Sequence, residues 1–156
     1  MKLYHTSNIE IQNPDIIHSR EHLDFGRGFY LTSLRDQAEK YAQRFLRKGE
    51  DAFLNIYELD DELQGFTNVV FEAYDNKWLD FVTACRKGQK HELYDIIEGG
   101  IADDQVFDTI DLYFSEIYTY EQALDQLRFK HPNQQVCITS QLLLDKHLHF
   151  IESIKL

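Results

Sequence analysis

Segments typical of strands and segments typical of helices follow one another along this chain without a regular alternation. Runs rich in β-branched and aromatic residues predict strands over 3–7, 29–32, 52–59, 68–72, 94–98, 134–139 and 148–154. Apolar residues at helical spacing predict helices over 34–48, between Asn76 and Gly88, and over 103–116, 121–128 and 141–146. A doubly wound parallel sheet needs strand and helix to alternate regularly. This order therefore favours an α+β fold with a largely antiparallel or split sheet.

The length of the chain bounds the number of folding units. At 156 residues it has the usual size of one domain, which is enough to bury a core without disulfides. Cys85 and Cys137 lie far apart, and neither has a neighbouring cysteine with which to make a metal or redox pair, so we interpret both as small core residues. The seven histidines form no pattern typical of a zinc site. We therefore expect a single domain over residues 1–156 and no metal.

The charge of the chain is strongly acidic, with 27 acidic and 16 basic residues and a formal net charge of −11. This disfavours unaided wrapping of nucleic acid, because phosphate binding relies on Lys and Arg, but it still allows a nucleic-acid substrate. Seven of the basic residues lie between positions 20 and 48: Arg20, Arg27, Arg35, Lys40, Arg44, Arg47 and Lys48. They indicate either a locally positive face or ordinary solvated charges on a helix. No apolar run approaches the roughly 20 residues of a membrane helix, and the first residues are typical of a strand and not of a signal peptide. We expect a cytoplasmic protein without a membrane partner.

Three features carry polar side chains in positions suited to chemistry. They are a strand histidine followed by two hydroxyl side chains, a Gly-x-Gly turn before an aromatic strand, and two glutamines that begin a strand: His5-Thr6-Ser7, Gly26-Arg27-Gly28 before Phe29-Tyr30, and Gln134-Gln135. Each alone is more often structural, as a half-buried histidine, a turn or a solvated pair of amides. No GxGxxG follows a strand, so a dinucleotide site of the Rossmann kind is not indicated.

The first two features together resemble the first two motifs of the poly(ADP-ribose) polymerase and diphtheria-toxin branch of the ADP-ribosyltransferases. The resemblance rests on the runs Leu3-Tyr4-His5-Thr6-Ser7 and Gly26-Arg27-Gly28-Phe29-Tyr30-Leu31-Thr32. In that branch the histidine segment binds the NAD ribose and carboxamide, and the glycine segment supplies a stacking tyrosine. The resemblance implies that NAD is bound by His5, Thr6, Ser7, Gly26, Arg27, Gly28, Tyr30 and Thr32, with His5 and Tyr30 also serving the reaction. Tyr41 stands where the branch has a second stacking tyrosine; the alternative is an ordinary helix core residue.

Over nearly its full length the chain resembles DUF3990, a little-characterised bacterial family of unknown function. The matching runs are Leu23 through Thr32, Trp78 through Val82 with Arg86, Tyr94 through Asp104, and Asn133 through Thr139. Together the two resemblances imply an ADP-ribosyltransferase-like domain, with a split, mostly antiparallel sheet core and flanking helices.

The third motif departs from the well-studied transferases, because no glutamate begins the strand over 134–139. Either Gln134 or Gln135 stands in its place, and we favour Gln135 as the catalytic position, with Gln134 beside it in the NAD site. A carboxylate stabilises the positive charge that develops on the ribose, whereas a glutamine orients a hydroxyl but carries no charge. Asp103 or Asp104 is available to supply that charge, and the alternative is that the pair caps a helix.

The resemblances imply NAD-dependent mono-ADP-ribosyl transfer to a macromolecular acceptor, either protein or nucleic acid. They also imply the role of a bacterial toxin, in a toxin–antitoxin or phage-defence system, with an antitoxin protein as a partner. The alternative, which the missing glutamate favours, is a non-catalytic module that binds NAD or ADP-ribose.

Overall fold

The computed structural model describes residues 1–156, with seven strands and six helices. In chain order the elements are β1 (Lys2–Ser7), β2 (Phe29–Leu31), α1 (Arg35–Tyr41), α2 (Gln43–Leu46), β3 (Phe53–Leu59), β4 (Asn68–Val70), α3 (Asn76–Lys87), β5 (Ile96–Gly99), α4 (Asp104–Phe114), α5 (Tyr120–Leu127), β6 (Gln135–Ile138), α6 (Gln141–His147) and β7 (Leu148–Lys155). Every predicted strand and helix is present, with boundaries that differ by a few residues.

The predicted helix over 34–48 differs from the structure in two ways. It is divided into α1 and α2 at Ala42, whose N–H donates to the Glu39 carbonyl at 3.1 Å in the tighter i to i−3 pattern. It also begins one residue later than predicted, because Leu34 is the N-cap residue of α1 and has no side-chain cap. Instead, the hydroxyl of Thr32 accepts from the N–H of Leu34 at 3.1 Å.

The strands form two sheets that meet along one short seam. The first sheet has the order β1-β3-β7 and is antiparallel throughout; the second has the order β2-β6-β5-β4, with only β4 and β5 parallel. The seam is an antiparallel bridge between Tyr4 and Thr32, in which each N–H donates to the other carbonyl at 2.8 and 2.9 Å. The structure thus confirms an α+β fold with mostly antiparallel sheets and flanking helices.

The alternation of side chains along the strands divides the core into layers. Between the two sheets, Leu3 and Tyr57 pack against Phe29, Leu31 and Ile138. A second layer lies between the other face of the four-stranded sheet and the helices α3, α4 and α5; its members include Ile97, Cys137, Trp78, Leu79, Val82, Val106, Ile110 and Leu127. Both cysteines are free thiols and are buried, which confirms that they are core residues.

The two glycines of the Gly26-Arg27-Gly28 turn are required for different structural reasons. Gly26 has a φ of +77°, in the left-handed region that favours glycine. Gly28 lies against β6, where an added Cβ would stand 2.5 Å from the Cys137 sulfur and 2.9 Å from the Ile138 carbonyl oxygen. The turn therefore lets β2 begin directly beside β6.

None of the helices has the length and apolar content that a membrane span requires.

We expect Gly28→Ala to lower the free energy of unfolding by about 1–3 kcal/mol, because the added methyl overpacks a filled core. Urea denaturation followed by Trp78 fluorescence measures this loss. Gly49→Ala is the comparison, since its Cβ would have no atom within 4 Å and only its φ of +74° is unfavourable. If Gly28→Ala proved no more costly than Gly49→Ala, close contact with β6 would not be the reason for this glycine.

Candidate functional site

His5 joins the two strands that carry the first two motifs. It lies on β1, and its Nδ1 is 2.7 Å from the Tyr30 carbonyl oxygen on β2. Because a carbonyl only accepts, Nδ1 must carry the proton. Burial lowers the pKa of His5, and the bond to Tyr30 opposes that shift only in part. The imidazole is therefore neutral at pH 7, and its other nitrogen, Nε2, is a hydrogen-bond acceptor.

The side chain of Tyr30 makes more contacts inside the protein than the sequence indicates. Its hydroxyl donates to the Gly26 carbonyl at 2.6 Å and accepts from the Phe25 N–H at 3.1 Å. The Phe25 ring is nearly parallel to it, at a centroid distance of 6.4 Å. Burial raises the pKa of Tyr30 far above its usual range, so the hydroxyl stays protonated. This tyrosine closes the glycine turn from within.

His5 and Tyr30 come together through the main chain and not through their rings. The His5 ring contacts Phe29, at 4.4 Å between centroids. Along β2, Phe29 and Tyr30 point to opposite faces of the sheet. A ligand that touches both the His5 imidazole and the Tyr30 ring must therefore pass over the seam between the sheets.

The two glutamines differ clearly in their surroundings. The Gln134 side-chain oxygen accepts from the Ser33 N–H at 3.1 Å, and its backbone exchanges hydrogen bonds with the Gln37 side chain at 2.9 and 3.3 Å. Gln134 thus fastens β6 to the start of α1. The half-buried side chain of Gln135 makes no hydrogen bond within the protein. Gln135 and Cys137 share a face of β6, and Cys137 pairs with Tyr30, so the free amide lies on the Tyr30 face of the sheet.

Most of the other predicted NAD-binding side chains have partners inside the protein. The Thr6 hydroxyl donates to the Ala38 carbonyl at 2.6 Å and holds α1 against β1. Thr32 holds the start of α1, as described above. The Arg27 guanidinium pairs with Glu21 at 2.9 Å on the surface. Ser7 has only weak contacts, at 3.4 Å, with its neighbours Asn8 and Ile9.

Tyr41 is not a core residue, because 47% of its surface is exposed at the end of α1. The Arg44 guanidinium lies over its ring, at 5.1 Å from the centroid. The interpretation of Tyr41 as an ordinary helix core residue is therefore wrong, and about half of its surface is accessible to solvent.

Sequence reasoning missed the residue that organises this region, Asp24. Its carboxylate is buried, and Oδ1 accepts from the Arg86 guanidinium at 2.5 and 2.6 Å. The other oxygen, Oδ2, accepts from the Ala102 N–H at 2.7 Å. Asp24 therefore binds the glycine turn to α3 and to the loop that follows β5. The available signal was the paired occurrence of Asp24 and Arg86 in two of the runs that resemble DUF3990.

The loop after β5 is held at each of its residues. The Trp78 indole N–H donates to the Gly100 carbonyl at 2.7 Å. The Asn133 amide makes two bonds with the backbone of Ile101, at 2.8 and 3.1 Å, and the Tyr74 hydroxyl donates to the same carbonyl. This loop leads directly into α4 and fixes where its first residues stand.

Asp103 is the N-cap of α4, and its side chain accepts from the Val106 N–H at 2.9 Å. The capping alternative is therefore confirmed for Asp103. Asp104 lies exposed in the first turn of α4.

Two concavities of the surface lie away from the motif residues. One, of about 480 Å³, is lined by Tyr74, Asp75, Leu124, Arg128 and others; the second, of about 310 Å³, is lined by Met1, Leu59, Asp60, Phe66, Glu98 and others. Neither contains His5, Tyr30 or Gln135, so these concavities do not mark the candidate site. No group of three or more His, Cys, Asp or Glu side chains is arranged to hold a metal ion.

Comparison with known proteins identifies one family. The sequence profile of a family described as "Protein of unknown function (DUF3990)" matches residues 1–150. No curated protein and no solved structure matches the chain significantly.

We expect Asp24→Asn to lower the free energy of unfolding by about 3 kcal/mol, because it leaves the Arg86 charge unpaired in a largely buried position. Urea denaturation measures the loss. Glu39→Gln is the matched control, since it breaks the exposed Arg35–Glu39 pair, which is expected to contribute less than about 1 kcal/mol. Equal losses in the two variants would show that the Asp24–Arg86 pair is no more important than a surface ion pair.

Proposed function

The chain belongs to the DUF3990 family, and we propose that it is an NAD-dependent mono-ADP-ribosyltransferase with an ADP-ribosyltransferase-like fold over residues 1–156. NAD is its substrate, and a macromolecule is the acceptor. The proposal includes the role of a bacterial toxin, with an antitoxin as a partner in the cytoplasm. The observation that carries it is the bond between His5 Nδ1 and the Tyr30 carbonyl, because it joins the two strands whose motifs resemble that enzyme class.

Two side chains of the candidate site suit a ribose and a planar ring. In the neutral His5, Nε2 is a hydrogen-bond acceptor, and a ribose hydroxyl can donate to it. The exposed Tyr41 ring can stack on an aromatic ring, which contributes about 0.5–1.5 kcal/mol beyond its buried area. NAD supplies the ADP-ribosyl group for transfer, and nicotinamide leaves.

Gln135 is the residue that we assign to the reacting ribose. Its amide has no partner in the protein, lies on the Tyr30 face of β6, and can donate to or accept from a hydroxyl. Holding a substrate in the reactive geometry accelerates a reaction even without charge stabilisation. Gln134 is less suited to this role, because its side-chain oxygen is bound to the Ser33 N–H.

A second candidate function is binding of NAD or ADP-ribose without catalysis. It is favoured because the carboxylates of Asp24 and Asp103 already have partners within the protein. Asp24 is neutralised by Arg86, and Asp103 caps α4. Neither is free to stabilise positive charge on a ribose in the way that a glutamate at the start of β6 would. Nicotinamide release distinguishes the two functions, since only the enzyme produces it.

We expect NAD to raise the melting temperature, because a ligand that binds only the folded state stabilises it, by about 2.7 kcal/mol at 100 times its Kd. His5→Ala should abolish this increase. The increase should be constant above about pH 6.5, the usual pKa of histidine. It should fall as the pH drops further, through the lowered pKa of His5, because a protonated Nε2 no longer accepts. Differential scanning fluorimetry from pH 5 to pH 8 tests both expectations.

Thr6→Ser is the control, because it changes the neighbouring residue but keeps the hydroxyl that donates to Ala38. It should leave the NAD effect intact. If millimolar NAD gave neither thermal stabilisation nor a saturation-transfer signal with the unmodified protein, the NAD hypothesis would be wrong.

We expect Gln135→Ala to reduce NAD cleavage at least tenfold, about 1.4 kcal/mol, through loss of substrate positioning. Gln135→Glu should preserve or raise cleavage, because it places a negative charge beside the ribose. Nicotinamide release, measured by chromatography, reports both effects, and the melting temperatures establish that each variant is folded.

Gln134→Ala serves as the internal control and should lower stability more than it lowers cleavage, because its amide fastens β6 to α1. Loss of cleavage at Gln134 without loss at Gln135 would reverse the assignment. If neither the unmodified protein nor any variant released nicotinamide, while NAD still raised the melting temperature, the binding function would be favoured.

A further inference from the structure

The segment over residues 40–48 concentrates positive charge on an otherwise acidic protein. It holds four of the 16 basic residues and none of the 27 acidic ones. The four are Lys40, Arg44, Arg47 and Lys48, and all are exposed. None forms a salt bridge, whereas Arg35, Arg27, Arg86 and Arg128 each pair with a carboxylate. We refer to these four residues as the basic stripe.

The basic stripe lies along a nearly continuous helix and the turn that follows it. Ala42 has right-handed helical backbone angles, so α2 continues the direction of α1. Lys40 and Arg44 are four residues apart on one helix face, and Arg47 and Lys48 follow directly after the end of α2. The buried residues Ala38 and Ala42 lie on the opposite side. The charges therefore point into solvent.

Of the carboxylates nearest in sequence, Glu39 and Asp51 are engaged with other cations, whereas Asp36 and Glu50 are exposed and form no salt bridge. Glu39 is paired with Arg35 at 2.7 Å, and Asp51 is paired with Lys155 at 3.2 Å. The acidic remainder of the chain repels a polyanion elsewhere on the surface, so electrostatic attraction favours an approach at the basic stripe.

The basic stripe leads to the proposed site. Gln37 is hydrogen-bonded to the backbone of Gln134, next to Gln135. From Gln37 the same side of the helix continues through Tyr41 to Arg44, at spacings of i, i+4 and i+7, and Lys48 follows in the turn after α2. At 1.5 Å per residue the helical part of this row is about 10 Å long. The whole row runs from the start of β6 to the end of the basic segment.

Tyr41 adds an aromatic surface to this row. Its ring is 47% exposed and carries the Arg44 guanidinium at 5.1 Å from its centroid. Exposed aromatic rings interleaved with cations are typical of surfaces that bind single-stranded nucleic acid, where bases stack and phosphates meet Lys and Arg.

We propose that the basic stripe, with Tyr41, binds single-stranded nucleic acid and presents it to the site as the acceptor. The acceptor role rests on the proposed function, whereas the binding does not. An acidic protein is the competing occupant, but it would make no use of a stacking ring among the charges.

Fluorescence anisotropy with labelled oligouridylate and oligothymidylate of about 12 nucleotides tests the binding in the absence of NAD. The triple variant Arg44→Glu, Arg47→Glu, Lys48→Glu should weaken binding at least tenfold. The matched control, Lys77→Glu, Lys90→Glu, Lys146→Glu, makes the same change in net charge at exposed lysines that have no salt bridge. It should change binding by less than about twofold, because charge far from the stripe is largely screened at 0.15 M salt.

Salt dependence gives a second measurement. Each phosphate contact to a single strand contributes about −0.7 to the slope of log K against log salt, so the triple variant should reduce the slope by about 2. Equal weakening in both triple variants would overturn the proposal. So would the absence of oligonucleotide binding at 50 mM salt, or equal binding of polyglutamate of similar length.

NAD-dependent thermal stabilisation, measured on the unmodified protein beside oligonucleotide binding, separates this proposal from the preceding one. Oligonucleotide binding through the stripe in a protein that ignores NAD would contradict the proposed function alone. NAD binding without oligonucleotide binding would contradict the stripe alone.

Discussion

The buried Asp24 carboxylate is the interaction on which the arrangement of the candidate site depends. One oxygen holds the Arg86 guanidinium of α3, and the other holds the N–H of Ala102 after β5. Since Asp24 lies just before Phe25 and Gly26, the same carboxylate also fixes the turn that Tyr30 closes with its hydroxyl. A buried charge pair needs good geometry and further hydrogen bonds to offset its desolvation, and Asp24 has both. Three distant parts of the sequence are thereby held together.

The seam between the sheets explains why side chains that the sequence groups together have different roles. A strand presents alternate residues to opposite faces, so β2 gives Phe29 and Leu31 to the layer between the sheets and Tyr30 to the helical layer. His5 reaches across the seam on the side of Phe29 and bonds to the Tyr30 main chain. The pair that marks the resemblance is thus a structural junction, whatever ligand it binds.

The elements of the fold could be predicted from the sequence because each shows the period of its own secondary structure. The order of the strands in the sheets could not, since it depends on long-range pairing such as that of β2 with β6. The same limit applies at the site. Thr6 and Tyr30 look like free hydroxyls in the sequence, but the partners that occupy them, Ala38 and Gly26, are known only from the packing. Motif register favours Gln135 over Gln134, and the geometry adds an independent reason, because only Gln134 has a partner for its side-chain amide.

The pairing of Asp24 and Asp103 within the protein limits how these two carboxylates could accelerate the proposed reaction. The Asp24 charge is compensated by Arg86, and the Asp103 charge lies at the start of α4, where it satisfies a backbone N–H. A carboxylate that is already paired has little negative potential left to stabilise a developing positive charge. In the proposed reaction, orientation by His5, Tyr41 and Gln135 would lower the entropic part of the barrier but not the electrostatic part. An enzyme of this kind would therefore depend on holding both substrates in place. An extended acceptor that binds along α1 and α2 beside Gln134 would supply that constraint from the acceptor side.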